Sequence, residues 1–227
     1  MSLPIPQAIL FDLDGTLADT APDLAQAANK LRITRGLAPV AYELLRPVAS
    51  AGARGLIGAA FGIGPDDEGY TALRDEFLQN YQAAIAVDSR LFDGVADLLT
   101  QLESAGIAWG IVTNKAEQLT SLLVPLIGLG HARCMISGDT TAFPKPHAAP
   151  LLEACRRIGI PASDCWYVGD DLRDMQAGHA AGMTTVAAAW GYCGDTAPVT
   201  WQANAIAVSP SDVLQLVRNA GRKIAGS

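Results

Sequence analysis

Cysteine and histidine are scarce in this chain, with four of the first and three of the second among 227 residues. Cys134, Cys155, Cys165 and Cys193 include no pair at C-x-x-C spacing, which removes support for a zinc knuckle or a thioredoxin-like redox pair. Residues 1–7 hold no basic run, so no secretory leader is expected there. The thiols are therefore expected to be reduced and mostly buried, in a cytoplasmic protein. No apolar run approaches the roughly 18 residues of a membrane span; charge, proline or glycine breaks each one. Aromatics make up only 6% of the chain, and its four tryptophans form no stripe on which bases could stack. Positive charge is also short: 16 Lys+Arg against 23 Asp+Glu, a formal net charge of −7 with no basic cluster. That balance argues against nucleic acid and anionic membrane as partners. His131, His147 and His179 are scattered and read as structural or solvated.

What is abundant is apolar material. Half of the residues are hydrophobic and the mean hydropathy is +0.21, which excludes a disordered chain. The length fits one large domain or a core with an insert. Short apolar runs at residues 8–11, 109–113, 134–137, 166–169, 185–189 and 205–208 read as strands. They do not alternate apolar with polar, as expected for strands buried on both faces of a parallel sheet. Helices are predicted between them at 93–105, 116–126, 150–158 and 172–181. The first carries Val95, Leu98, Leu99 and Leu102 at helical spacing, with Gly106 as its stop. Alternating strand and helix give an α/β fold, a doubly wound Rossmann-like parallel sheet with right-handed crossovers.

The long interval between the first two strands breaks this rhythm. Helices are predicted at 23–36, 54–61 and 70–84, with little that reads as a strand, and a plain crossover needs far less chain. Residues 18–90 are therefore expected to form an inserted α-helical unit, with residues 1–17 and 91–227 forming the core. The insertion springs from the C-terminal end of a strand, where α/β sheets bind ligands. Residues 218–227 read as a frayed helix end.

Carboxylates gather at strand ends. The first strand runs into Asp12-Leu13-Asp14-Gly15-Thr16, and the fourth into Gly169-Asp170-Asp171, with Asp174 following. Acids so placed repel one another unless a cation sits between them. If the two strands are neighbours, Asp12, Asp14 and Asp170 converge, and an oxygen-only site of this kind suits Mg²⁺. Asp170 or Asp171 also fits the N-cap of the next helix. Thr113 and Asn114, at the end of the second strand, offer groups for phosphate oxygens. Lys145, between Pro144 and Pro146, carries an ammonium held by a stiffened loop.

In this order the motifs resemble those of the haloacid dehalogenase-like hydrolase superfamily, and the insertion looks like its small α-helical cap. The resemblance covers essentially the whole chain, and an Asp at position 14 resembles the phosphatase branch. Residues 50–57 and 91–95 are similar to the phosphoglycolate phosphatase subgroup and to N-acetylmuramic acid 6-phosphate phosphatases, while the run Val168 to Asp174 and the Trp190-Gly191-Tyr192 segment are similar to the latter. The resemblance implies a phosphatase in which Asp12 is the nucleophile and Asp14 the acid and base. It implies Mg²⁺ on Asp12, the Asp14 carbonyl and Asp170, with phosphoryl oxygens on Lys145 and Thr113. Asp171 and Asp174 would support the metal from behind. Arg54 in the cap is expected to read a carboxylate on a small phosphorylated metabolite, with Lys115 and Arg173 further candidates for the same rim. A sugar-phosphate mutase on the same scaffold and a non-catalytic phospho-acceptor module are the competing functions. A monomer or homodimer is expected.

Overall fold

Each residue of β1 (Ala8–Phe11) is buried, because the two-residue period of a strand deals its side chains to two apolar faces. Ile9 and Phe11 join Trp109, Ile111, Trp166 and Val168 on one face. Ala8 and Leu10 join Val112, Cys165 and Tyr167 on the other.

The computed structural model describes residues 3–221. After β1 the chain forms β2 (Ala18–Asp19), α1 (Ala21–Ile33), α2 (Tyr42–Leu45), α3 (Gly52–Phe61), α4 (Tyr70–Ala83) and β3 (Arg90–Leu91). It continues through α5 (Val95–Ser104), β4 (Ala108–Val112), α6 (Glu117–Leu126), β5 (Met135–Ile136) and α7 (Ala149–Ile158). It ends in β6 (Cys165–Gly169), α8 (Leu172–Ala181), β7 (Thr184–Ala188), β8 (Ala205–Ala207) and α9 (Pro210–Asn219). Six strands form a parallel sheet in the order β5-β4-β1-β6-β7-β8. This is the doubly wound sheet expected from the sequence. From β1 the chain builds β4 and β5 to one side, then returns to build β6, β7 and β8 on the other. Ligand crevices form at such a reversal. The fraying expected from residue 218 lies, beyond residue 221, outside the described residues.

Helices α1, α3 and α4 pack on one another around Leu24, Leu31, Leu56, Ile57 and Phe77. Alanines 21, 25 and 28 are buried on α1, where small side chains allow close approach. Two features carry no periodic signal. One is the short α2 with the 3₁₀ segment Arg46–Ala51. The other is an antiparallel ribbon in which Ala18 pairs with Leu91 and Asp19 with Arg90.

Asp23, in the first turn of α1, ties this helix to the returning chain. Its buried carboxylate accepts from the Val87, Asp88 and Ser89 N–H groups at 3.1, 3.0 and 2.9 Å, and from the Ser89 hydroxyl at 2.6 Å. Hydrogen bonds to a charged acceptor are the stronger kind. Asp23→Ala is expected to lower stability by about 3 kcal/mol, seen in urea unfolding as a lower midpoint at unchanged slope.

Candidate active site

Sheet register sets the geometry. Phe11 pairs with Ile111 on one side and Val168 on the other. One step on, the chain reaches Asp12, Val112 and Gly169; the next brings Thr113 and Asp170. The Asp12 N–H still donates to the Val168 carbonyl at 2.9 Å. Beyond it the chain folds tightly, with the N–H groups of Thr16, Leu17 and Ala18 all reaching the Leu13 carbonyl. Gly15 adopts φ +86°, and a Cβ there would lie 2.2 Å from Asp170 Oδ2. Glycine is required on both counts.

Asp12 is 8% exposed. Its Oδ1 accepts from the Leu13 N–H at 2.7 Å and lies 2.9 Å from Lys145 Nζ. Among the described residues, Oδ2 carries no hydrogen bond. Lys145 is held from all sides: Nζ reaches Asp174 Oδ1 at 2.8 Å, the Tyr167 hydroxyl oxygen at 2.7 Å and the Val112 carbonyl at 3.0 Å. Burial works against its charge, but Asp12 and Asp174 outweigh it and hold the ammonium above its ordinary value. Asn114 binds the Lys145 backbone twice, accepting from its N–H and donating to its carbonyl, each at 2.9 Å. Asn114 was expected at the phosphate. It does line the cavity, but its amide positions Lys145.

Asp170 is fully buried. It accepts from the Thr16 hydroxyl at 2.9 Å, the Tyr192 N–H at 2.9 Å and the Ser50 hydroxyl at 3.1 Å. Burial, with Asp12 and Asp174 close by, drives its carboxyl well above the usual range, against the pull of Tyr192 and Thr16. Asp174 is raised for the same reasons, burial first, although Lys145 opposes the shift. One oxygen each of Asp12, Asp170 and Asp174 lies within 4.8 Å of the others. A buried, carboxylate-only cluster with more negative than positive charge fits a hard divalent cation such as Mg²⁺. Asp171 points elsewhere. It is the N-cap of α8, in a capping box with Asp174, and it pairs with Arg173 at 2.8 Å.

Above this floor lies a cavity of about 240 Å³ reaching from Asp12, Thr113 and Lys145 to the helical insertion. Leu24, Ala53, Phe77, Leu78 and Tyr81 line its upper side. Lys115 is no rim residue: its side chain is 6% exposed, and Nζ lies 2.9 and 3.1 Å from the two oxygens of Asp14. Thr20 donates to the same carboxylate at 2.5 Å. Arg54 does not join them. It is exposed and absent from the cavity lining, because α3 turns Leu56, Ile57 and Ala60 inward and leaves position 54 off that arc. The three histidines also lie outside the lining.

Motif spacing did not point to several residues that shape the site. Tyr167 lies inside an apolar strand and holds Lys145. Tyr192 orders Asp170 through its N–H, while its hydroxyl accepts from the Thr20 and Ala21 N–H groups at 2.7 and 2.8 Å. Ser50 spans both parts of the chain: its hydroxyl reaches Asp170 and its carbonyl accepts from Arg173 at 2.9 Å. Ser50 and Tyr192 fall in segments that carry the family resemblance, and Gly191 beside Tyr192 is a further signal, since a Cβ there would lie 2.3 Å from both Asp170 Cβ and the Gly15 carbonyl.

A family model described as haloacid dehalogenase-like hydrolase matches residues 9–188. Phosphoglycolate phosphatase of Xanthomonas campestris pv. campestris (strain 8004) is 49% identical over 208 residues, which span 90% of this chain and 93% of that one. N-acetylmuramic acid 6-phosphate phosphatase of Pseudomonas aeruginosa is 39% identical over 216 residues, spanning 94% and 96%. The crystal structure of a predicted phosphoglycolate phosphatase from Haemophilus somnus 129PT matches with a TM-score of 0.83 at 26% identity, over 95% of this chain and 99% of that one.

The raised Asp170 carboxyl makes stability depend on pH. A group that binds its proton more tightly when folded stabilises fully below its unfolded value, here 3.8, and that contribution is lost as pH rises through the folded value. In EDTA, Asp170→Asn is therefore expected to melt above the wild type at neutral pH, with the gap closing as pH falls toward 4. Mg²⁺ should raise the melting temperature of the wild type and not of the variant. A gap that stays constant with pH would rule out Asp170 as its source.

Proposed function

This chain belongs to the haloacid dehalogenase-like hydrolase family, and from that membership we propose that it is a Mg²⁺-dependent phosphatase of small phosphomonoesters, similar to the phosphoglycolate phosphatases. The observation that carries this is the state of Asp12. One oxygen is tethered to Leu13 and Lys145 and the other is unbonded on the cavity wall, with a second acid, Asp14, one turn of loop away.

In this scheme Asp12 Oδ2 attacks phosphorus as the bond to the leaving oxygen breaks, giving an aspartyl-phosphate. Asp14 delivers a proton to the leaving alkoxide, then takes one from the water that hydrolyses the intermediate. For the first of these steps Lys115 must move off at least one Asp14 oxygen. The Thr113 hydroxyl and the Lys145 ammonium bind the transferring phosphoryl oxygens. Asp174, Tyr167 and Asn114 keep Lys145 in place for that task. Asp12, Asp170 and the Asp14 carbonyl would hold Mg²⁺. When bound, the ion supplies positive charge that offsets repulsion between carboxylate and phosphate. The helical insertion, residues 18–90, serves as a cap that excludes water and reads the leaving group.

The cavity of about 240 Å³ closed by Leu24, Phe77, Leu78 and Tyr81 has room for a small phosphorylated metabolite. No described helix is long and apolar enough to cross a membrane, and the four cysteines are free, consistent with work in the cytoplasm.

Asp12→Asn should lower phosphate release from 2-phosphoglycolate and from p-nitrophenyl phosphate by on the order of 10³-fold or more. EDTA should abolish wild-type turnover and Mg²⁺ restore it. Retention of wild-type turnover by the variant would remove Asp12 as nucleophile. An isomerised sugar phosphate in place of free phosphate would mark a mutase.

A further inference from the structure

The helical insertion reaches the acid cluster through one short segment, the 3₁₀ turn Arg46–Ala51. This turn is fastened at both ends. At its start the Arg46 guanidinium pairs with the two Asp19 oxygens at 2.7 and 2.8 Å and lies 4.9 Å from the centre of the Tyr192 ring. Near its end the Ser50 carbonyl accepts from Arg173 at 2.9 Å, and both oxygens of Asp171 hold that guanidinium. Two glycines shape the exit. Gly52 adopts φ +58°, and a Cβ on Gly55 would lie 2.5 Å from the Val48 carbonyl, so α3 packs directly against the turn.

These ties set the Ser50 hydroxyl 3.1 Å from Asp170 Oδ2. An ionised carboxylate offers about four lone-pair positions. On Asp170 the Thr16 hydroxyl fills one at Oδ1, while the Tyr192 N–H and the Ser50 hydroxyl fill two at Oδ2. Among the described residues no donor fills the other position at Oδ1. That position remains for a cation shared with Asp12 and Asp174. Thr16 and Tyr192 belong to the core; the third donor comes from the insertion. Among the described residues, no other member of 18–90 bonds to Asp12, Asp170 or Asp174.

We propose that Ser50 is a positioning residue through which the insertion completes the cation site: its hydroxyl orients the Asp170 carboxylate for Mg²⁺, and Arg173 fixes Ser50. Partners that hydrogen-bond a metal ligand set its orientation, and their loss typically weakens metal binding by about 10- to 100-fold. When the insertion lifts, Asp170 loses one of the three donors that set its plane. When an ion sits on Oδ1, the carboxylate is held in the orientation that receives Ser50. Mg²⁺ binding and the seating of the insertion therefore stabilise each other by the same free energy. The inference rests on the Mg²⁺-dependent phosphatase function proposed above and adds a dependence of metal affinity on the insertion.

Calorimetric titration of Mg²⁺ into EDTA-stripped protein reads this coupling without turnover. Ser50→Ala should raise the Mg²⁺ Kd by about tenfold. Arg173→Lys keeps the charge but loses the fork that grips Asp171 and Ser50 together, so it should also raise Kd. The double variant should match Ser50→Ala, because both changes act through one hydroxyl. Amide exchange reads the reverse direction: saturating Mg²⁺ should slow exchange over residues 46–55 in the wild type and not in Ser50→Ala. A Ser50→Ala Kd within twofold of the wild type overturns the coupling, and so does wild-type exchange over 46–55 that Mg²⁺ leaves unchanged. A melting temperature that Ser50→Ala lowers equally with and without Mg²⁺ marks a structural role alone and overturns it too. In each of these cases Mg²⁺-dependent release of phosphate from p-nitrophenyl phosphate by the wild type leaves the phosphatase function standing. A wild type that neither binds Mg²⁺ nor releases phosphate removes that function together with the inference.

Discussion

Mutual repulsion among Asp12, Asp170 and Asp174 is the constraint to which the rest of the molecule answers. Two ionised carboxylates with oxygens within 4.8 Å of each other repel by about 3.5 kcal/mol or more at an effective dielectric constant of about 20. One lysine stands among them. Gly15 and Gly191 let backbone approach the Asp170 side chain, and Gly169 leaves room for the Asp174 carboxylate. Tyr167 and Asn114 hold the lysine side chain and backbone. The sheet brings these groups together because its strand order reverses around β1, so that acids from distant parts of the chain share one edge.

That concentration contributes only in part to the acidic balance of the chain. Five of its 23 acids are Asp12, Asp14, Asp170, Asp171 and Asp174. Lys115, Lys145 and Arg173 pair with them, which leaves a local excess of two negative charges within the net −7. Two of the five have cation partners of their own. Asp171 holds Arg173, which in turn grips the Ser50 carbonyl. Asp14 is paired with Lys115 beneath the cap.

The sheet was legible in the sequence because its strands are buried on both faces and therefore written as unbroken apolar runs. The acid clusters were legible because they follow those runs directly. The cap helices at 23–36, 54–61 and 70–84 were visible as periodicity. What periodicity could not carry was direction and depth. Arg54 and Lys115 are both cations near a motif, yet the α3 arc turns one outward while the chain after Thr113 buries the other. Asn114 sits beside a predicted phosphate ligand, but its amide geometry matches the Lys145 backbone. Tyr81 belongs to a helix with no motif of its own, and its place on the cavity wall beside Lys115 exists only once the helices are packed. The Ala18–Asp19 and Arg90–Leu91 ribbon is too short to leave any pattern.

That ribbon has a mechanical consequence. The polypeptide crosses between core and cap at two places, and the ribbon fastens them side by side. The outgoing strand leaves the Asp14 loop at Ala18 and enters α1 through Thr20, whose hydroxyl is bonded to Asp14 and whose N–H is bonded to Tyr192. Tyr192 in turn fixes Asp170 through its own N–H. The helical insertion is therefore joined to the core by a short ribbon set against Asp14, with one strut through Tyr192 to Asp170 beneath. Thr20, at the start of α1, thus ties the placement of the insertion to that of the Asp14 carboxylate.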